Sequence, residues 1–195
     1  MRSLRVTPRA VLTIILAGCL CWIAGTAIAT NFGSQGSVGT IGTTNGVFLL
    51  PSKTMSVKRV NLTSTNSAAV SSRVASVYNP TDLVATTLAN NEACNSYEVI
   101  CVFDANYGDN NLYGWNACNS GASGSHPNMK CGQQWVRLNT AYTPPSASIL
   151  ACHELAHTVG LRHVTSGSTC VIQYISSSTP NTLSAHDIAH INAQY

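Results

Sequence analysis

Apolar residues recur along the chain with spacings that predict helices and strands. Val70, Val74 and Val77 follow one another at helical spacing, which predicts a helix near residues 66–78. Residues 97–103 form a β-branched and aromatic run, and such runs are typical of strands. A helix followed by a strand is therefore expected in the first half of the chain.

The second half of the chain contains a further strand and two helices. Residues 104–130 are rich in Asn, Gly and Ser and are predicted to be a loop, whereas residues 135–138 alternate as a strand. Ser146 follows two prolines and is predicted to cap a helix that runs to about Val159. Residues 183–193 are predicted to be a terminal helix. Segregated strands and helices of this kind predict a small α+β domain.

The first residues resemble an export signal. Three arginines within the first nine residues precede an apolar run over residues 10–28, which ends in Ala-Ile-Ala. This order predicts a secretory signal peptide over residues 1–29, removed after Ala29. Two alternatives stay open: the run is retained as an N-terminal anchor, or Cys19 is lipidated as in a bacterial lipoprotein. The next stretch, residues 30–60, is predicted to be a flexible segment or a short propeptide.

Charge excludes one class of partner. The chain has a formal net charge of +3, and the three arginines of the signal account for all of it. The remainder is neutral, whereas a nucleic-acid-binding domain needs clustered Lys and Arg on its surface. No nucleic-acid partner is therefore expected, and no stable membrane association is expected once the signal is removed.

Six cysteines remain after the predicted signal cleavage, and an even count in an exported chain predicts three disulfides. Fifteen pairings are open to six cysteines. Sequential pairing is the simplest of these, joining Cys94 to Cys101, Cys118 to Cys131, and Cys152 to Cys170.

The candidate chemistry lies in one eleven-residue stretch that begins at His153. His153 and His157 are four positions apart, so they share one face of a helix and can reach one ion. Gly160 permits a sharp turn that returns His163 as a third ligand. Three imidazoles leave the fourth position of tetrahedral Zn²⁺ to water, and Glu154 can be directed at that water.

This stretch reads H-E-x-x-H-x-x-G-x-x-H, which resembles the long zinc motif of the metzincin metalloendopeptidases. The resemblance implies that His153, His157 and His163 bind one catalytic zinc ion and that Glu154 is the general base. It further implies a metzincin-like zincin domain over residues 61–195. Such a domain has a twisted sheet with the active-site helix above and a small C-terminal subdomain with a terminal helix.

The residues after the motif resemble the family with one departure. Residues 170–174 are similar to the Ser-x-Met-x-Tyr turn of astacins and serralysins, with Ile172 in the methionine place. The resemblance implies that Tyr174 donates to the oxyanion; a packed tyrosine without a catalytic role is the alternative. Residues 183–188 are similar to the matrixin ending, in which Asp187 matches the second of two acids. A Cys152–Cys170 bond would join the helix to this turn.

Other candidate ligands are weaker. Asp104, Asn106 and Asp109 carry oxygen ligands at short spacing, which makes calcium a weakly supported second ion. His186 and His190 are four positions apart, and a second metal is the alternative there. They are interpreted as a solvated helix face, because no other ligand accompanies them.

Taken together, these features predict a secreted, monomeric zinc endopeptidase that acts on protein or peptide substrates through a zinc-activated water. Two alternatives of other classes stay open. One is a catalytically silent zinc-binding module, against which the intact Glu154 argues. The other is a zinc hydrolase of non-peptide amides or esters.

Overall fold

The computed structural model describes residues 31–38, 46–91, 93–95 and 99–195. The predicted signal peptide, Cys19 included, lies outside these residues. Within the described ranges, no helix is long and apolar enough to cross a membrane.

The elements form a mixed α+β fold, as predicted. In chain order they are β1 (Thr54–Val60), α1 (Ser64–Arg73) with a π-helical continuation (Val74–Tyr78), β2 (Val84–Asn90), β3 (Ile100–Ala105), β4 (Gly114–Ser120), β5 (Gln133–Asn139), α2 (Ala147–His157) and α3 (Ala185–Gln194).

The five strands form one sheet in the order β2-β1-β3-β5-β4. The first four are parallel, and β4 pairs antiparallel with β5, so that β4 is an edge strand. Helix α2 packs against α1, β4 and β5. The apolar core lies between the sheet and these helices and includes Val57, Val70, Ile100, Val102, Val136, Leu150 and Leu155. This core holds α2 beside the edge of the sheet.

Helix α1 and its π-helical continuation confirm the first predicted helix. The first turn of α1 is capped from β3. Asp104 Oδ2 accepts hydrogen bonds from Thr63 N at 3.0 Å, Thr63 Oγ1 at 2.7 Å and Asn66 Nδ2 at 2.7 Å. Asp104 is therefore a capping residue, and its proximity in sequence to Asn106 and Asp109 gives no support to the calcium prediction.

The strand predicted at residues 97–103 corresponds to β3, although residues 97–98 lie outside the described ranges. Strand β5 contains the predicted strand at residues 135–138. The predicted loop at residues 104–130 is wrong over β4. Asn116 on β4 is fully buried, and its Nδ2 group donates to Gln134 Oε1 on the neighbouring strand β5 at 2.6 Å.

Part of the stretch predicted to be flexible, residues 30–60, is built into the fold. Its last seven residues are strand β1, and Asn31 is only 2% exposed. Gly33 N donates to Gly160 O at 2.8 Å, and Arg162 N donates to Asn31 O at 2.6 Å. The expectation of flexibility is therefore wrong for these residues, because backbone hydrogen bonds hold them in place. The propeptide alternative stays a prediction.

All three sequential disulfides are confirmed, joining Cys94 to Cys101, Cys118 to Cys131, and Cys152 to Cys170. The third bond joins the middle of α2 to the turn that follows the histidine motif. Helix α3 confirms the predicted terminal helix, and Ser184 and Asp187 form a capping box at its start.

Asp187 joins three parts of the chain from a buried position. Its carboxylate accepts hydrogen bonds from Asn31 Nδ2 at 3.0 Å, Thr169 Oγ1 at 2.7 Å and Ser184 Oγ at 2.7 Å. Burial alone would raise the pKa of Asp187, but these hydrogen bonds outweigh burial and hold the pKa below its ordinary value. The ionised carboxylate therefore stabilises the folded state above the ordinary pKa, and this stabilisation is lost as the pH falls through the lowered one.

We expect Asp187→Asn to lower the free energy of unfolding at pH 7 by about 1–3 kcal/mol, because buried donors lose a charged partner. The deficit should shrink at pH 3, below the ordinary pKa, because the unfolded parent then binds a proton that the folded carboxylate resists. Urea unfolding of the metal-free proteins measures both values. Asp109→Asn, at an exposed position, is the control and should change stability by less than about 0.5 kcal/mol. A deficit that is equal at both pH values would contradict this account of Asp187.

Candidate metal centre

Helix α2 positions two of the candidate ligands inside the protein. Ser146 caps the helix by accepting a hydrogen bond from Ser148 N at 3.2 Å, as predicted. Residues 149–157 are all buried, so the helix is enclosed rather than half-exposed. His153 and His157, one turn apart on this helix, are 6% and 0% exposed. Both imidazoles are therefore fixed by packing.

Gly160 turns the chain back towards the helix. Its φ is +95°, in the region that favours glycine, and a Cβ at this position would collide with Leu49 Cδ2. The turn brings His163 to the other two histidines. His163 Nε2 lies 2.9 Å from His153 Nε2 and 3.1 Å from His157 Nε2. The structure thus brings together the three histidines that the sequence predicts as ligands.

Backbone carbonyls set the orientation of both helical histidines. His153 Nδ1 lies 2.8 Å from Cys170 O, and His157 Nδ1 lies 2.7 Å from Leu161 O. A carbonyl only accepts, so each Nδ1 carries the proton and each Nε2 carries a lone pair. Two lone pairs therefore point at His163 Nε2, which can donate to only one of them. A cation between the three nitrogen atoms would satisfy all of them.

The protonation states also suit a metal. Burial, assisted by nearby His163, lowers the pKa of His153 to about 4. Burial and the neighbouring histidines hold the pKa of His157 well below its ordinary value, and burial lowers the pKa of His163. All three imidazoles are thus neutral near pH 7, which is the ligating form.

The spacing is close to that of a tetrahedral site. Nitrogen ligands 2.0–2.1 Å from a tetrahedral zinc ion are about 3.3 Å apart, and the two separations from His163 Nε2 are 2.9 and 3.1 Å. All three ligand atoms lie within 4.8 Å of one another. His153, His157 and His163 therefore fit a zinc ion in the donor atoms, the tautomers and the spacing.

Glu154 lies next to these ligands with one oxygen unsatisfied. The side chain is 3% exposed, and among the described residues Oε2 has no hydrogen-bond partner. Burial raises the pKa of Glu154 to about 8. The other oxygen, Oε1, lies against Gly114 on β4. A Cβ at Gly114 would lie 2.8 Å from this oxygen. The absence of a side chain at Gly114 therefore gives the carboxylate its space.

An open cavity of about 350 Å³ gives access to the site. It is lined by Asn111, Leu112, Tyr113, Gly114, Leu150, His153, Glu154, His163, Gln173, Tyr174 and Ile175. Tyr174 is 81% exposed on its wall and is not packed in the core, contrary to the alternative interpretation of this residue.

The turn with Ile172 in the methionine place is tied to the chain just after His163. Val164 N donates to Val171 O at 3.1 Å, and Gln173 N donates to Val164 O at 2.9 Å. Ile172 itself is half-buried. The turn contacts the candidate ligand His153 through the Cys170 carbonyl. Every residue has a backbone carbonyl, so the pattern of side chains could not predict this contact.

Sequence comparison identifies no relative: no family model and no curated protein matches the chain. Among solved structures, the chain is similar to high choriolytic enzyme 1, a hatching enzyme zinc-protease from the medaka fish Oryzias latipes. The match has 14% sequence identity and a TM-score of 0.44, and covers 76% of this chain and 94% of that chain. A likeness this distant leaves function to be argued from the site.

We expect His163→Ala to weaken zinc binding by more than about 100-fold, because changes outside the ligand set already cost 10–100-fold. Competition with a chromophoric chelator measures the affinity. His163 is only half-buried, so the variant should fold, and circular dichroism checks this. His126→Ala is the control, since His126 bonds Ser34 and Gly36 instead. Parental zinc affinity in His163→Ala would contradict the ligand assignment.

The contact between Gly114 and Glu154 predicts an energetic coupling. Gly114→Ala should destabilise the protein, because the new methyl group meets the Glu154 carboxylate and the Arg137 carbonyl, 2.8 Å from each. The cost should be smaller by about 0.5–3 kcal/mol in a Glu154→Ala background. Urea unfolding of the four proteins completes the double-mutant cycle. Equal costs in both backgrounds would show that Glu154 does not occupy this position.

Proposed function

We propose that the protein is a secreted zinc-dependent endopeptidase, similar to the metzincins, that hydrolyses internal peptide bonds with Glu154 as general base. The observation that carries this proposal is the Glu154 carboxylate. It is buried, it has an unsatisfied Oε2, and it lies in an open cavity beside three converging imidazoles. A structural zinc site has no use for such a group, whereas a hydrolase needs a proton acceptor at this place.

Zinc held by His153, His157 and His163 would supply Lewis acidity, which lowers the pKa of a water ligand towards ~7 and polarises a carbonyl. Glu154 Oε2 would accept the proton of the attacking water, because no other described group competes for that oxygen. Burial alone raises the pKa of Glu154, whereas a zinc ion beside it would stabilise the carboxylate, the form that a base needs. The proton would then pass from Glu154 to the departing amine.

The edge of the sheet supports a peptide as the substrate. The outward-facing carbonyl of Asn116 on β4 accepts from Gly46 N at 2.9 Å, so the edge is covered at that point. Gly114 lies two residues earlier on β4, so its backbone N–H and C=O groups face outwards as those of Asn116 do. Gly114 also lines the cavity. An extended peptide chain could add to β4 there, with its scissile bond beside Glu154.

The lining of the cavity supports an uncharged substrate side chain near the scissile bond. Leu112, Leu150 and Ile175 supply apolar surface. Among the described lining residues, Glu154 is the only acid, and neither Lys nor Arg is present. Burying a charged substrate side chain here would leave it unpaired, which is costly. We propose that the enzyme prefers apolar residues at this position.

The disulfides support an extracellular localisation. Three bonds in a chain of this size are typical of an oxidising compartment, which supports secretion. We propose that the protein acts outside the cell as a monomer.

Cleavage of unfolded casein tests the proposed activity. The purified, oxidised, zinc-loaded protein should cleave casein, and removal of zinc by a chelator should abolish cleavage. Glu154→Gln should retain one zinc per chain and lose about 10²–10⁴-fold in rate, because it removes general-base catalysis while keeping the size of the side chain. A zinc-loaded parent protein without peptidase activity would favour the silent zinc-binding module. Parental cleavage by Glu154→Gln would contradict the mechanism.

Tyr174 is proposed as a hydrogen-bond donor to the oxyanion of the reaction, and its exposed position on the cavity wall leaves its hydroxyl accessible. Tyr174→Phe should lower kcat by about 10²–10³-fold with little change in KM, as expected for the loss of one oxyanion donor. Steady-state kinetics on a fluorogenic peptide measure both constants. Tyr113→Phe, a tyrosine on the same wall, is the matched control. An unchanged kcat in Tyr174→Phe would show that Tyr174 lines the cavity without donating to the oxyanion.

A further inference from the structure

A second pair of histidines converges on helix α3, outside the cavity. His186 and His190 lie one turn apart, with their Nε2 atoms 3.1 Å from each other. Their ring centroids are 4.3 Å apart and the ring planes are nearly perpendicular, at 85°. His186 is exposed and His190 is half-buried, so both remain open to solvent.

Contacts around the pair limit the motion of the His190 ring and of the backbone at the start of α3. His190 stacks on Phe32, with ring centroids 5.5 Å apart and an interplanar angle of 29°. The capping box formed by Ser184 and Asp187 fixes the first turn of α3, on which His186 lies. Among the described residues, neither imidazole has a hydrogen-bond partner other than its neighbour. The contact with Phe32 limits the rotation of the His190 ring, which lowers the conformational entropy that this ring loses on binding a ligand.

We propose that His186 and His190 form a second binding site for a divalent transition-metal ion, here tested with Zn²⁺, whose remaining ligands are water molecules. Imidazole nitrogen is a preferred ligand of Zn²⁺, Cu²⁺ and Ni²⁺, and poorly suited to Mg²⁺ or Ca²⁺. Two protein ligands bind more weakly than three, so this site fills after the buried one.

The second site is separate from the first. Neither His186 nor His190 lines the cavity, so an ion bound there leaves the access to Glu154 open. Phe32 links the pair to the rest of the structure, because it forms a β-bridge with Leu161, whose carbonyl orients His157. The inference does not depend on the proposed peptidase activity.

Isothermal titration of the zinc-loaded protein with ZnCl₂ tests the proposal. The parent should bind one further ion per chain. His186→Gln should weaken this second binding by about 100-fold or more, since it removes the advantage of two linked ligands, while leaving the first zinc in place. His190→Gln should behave in the same way. His126→Gln, which removes a histidine elsewhere, should retain the second ion.

Two results would overturn the proposal. One is a zinc-loaded parent that binds no further ion. The other is a second ion that binds with parental affinity in the His186→Gln/His190→Gln double variant, which would locate it elsewhere, for example beside Glu154. His186 is exposed, so His186→Gln should fold normally; an unchanged melting temperature of the metal-free protein confirms this before titration.

Discussion

The convergence of the three candidate ligands depends on two hydrogen bonds, in which imidazole Nδ1–H groups donate to backbone carbonyls. They run from His153 to Cys170 and from His157 to Leu161. These bonds select the tautomer that leaves both Nε2 lone pairs facing inwards, and they prevent the rings from rotating away. Without them, the two imidazoles could satisfy each other as a donor and acceptor pair. With them, three nitrogen atoms converge on a point where a cation would satisfy all of them.

Much of the surrounding structure serves to place those two carbonyls. The Cys152–Cys170 disulfide joins the helix that carries His153 to the turn that supplies its acceptor. Gly160 reverses the chain so that the Leu161 carbonyl returns to His157. Both carbonyls lie in segments without regular secondary structure, and covalent and steric constraints replace a hydrogen-bond ladder there.

Residues 31–38 and helix α3 contact the segments that follow the histidine motif. Asn31 and Thr169 donate to the buried carboxylate of Asp187, which caps α3 through Ser184. A single ionised side chain thereby links the start of the described chain, the turn beneath the histidines and the terminal helix. Hydrogen bonds to a charged acceptor are stronger than neutral ones, so this arrangement concentrates stability in a few contacts.

The convergence of the three histidines is predictable from the sequence because their relation is local: a four-residue spacing on one helix, then a glycine and a third histidine. The three disulfides were also predictable, since each joins neighbouring cysteines. Strands β1, β2 and β4 were not predicted. Their stability comes from partners distant in sequence, as with Asn116 on β4, whose Nδ2 group donates to Gln134 on β5. Gly114 carries no signal of its own, because its role appears only when β4 lies against Glu154.

The most direct test of the central claim is X-ray absorption at the zinc edge of the protein loaded with one equivalent of zinc. The account predicts three imidazole nitrogen ligands and one oxygen from water, all at about 2.0–2.1 Å. A shell of four protein ligands, any sulfur ligand at about 2.3 Å, or a signal without imidazole scattering would contradict it. The same spectrum of Glu154→Gln should keep all three nitrogen ligands, since Glu154 is proposed as the base and not as a ligand.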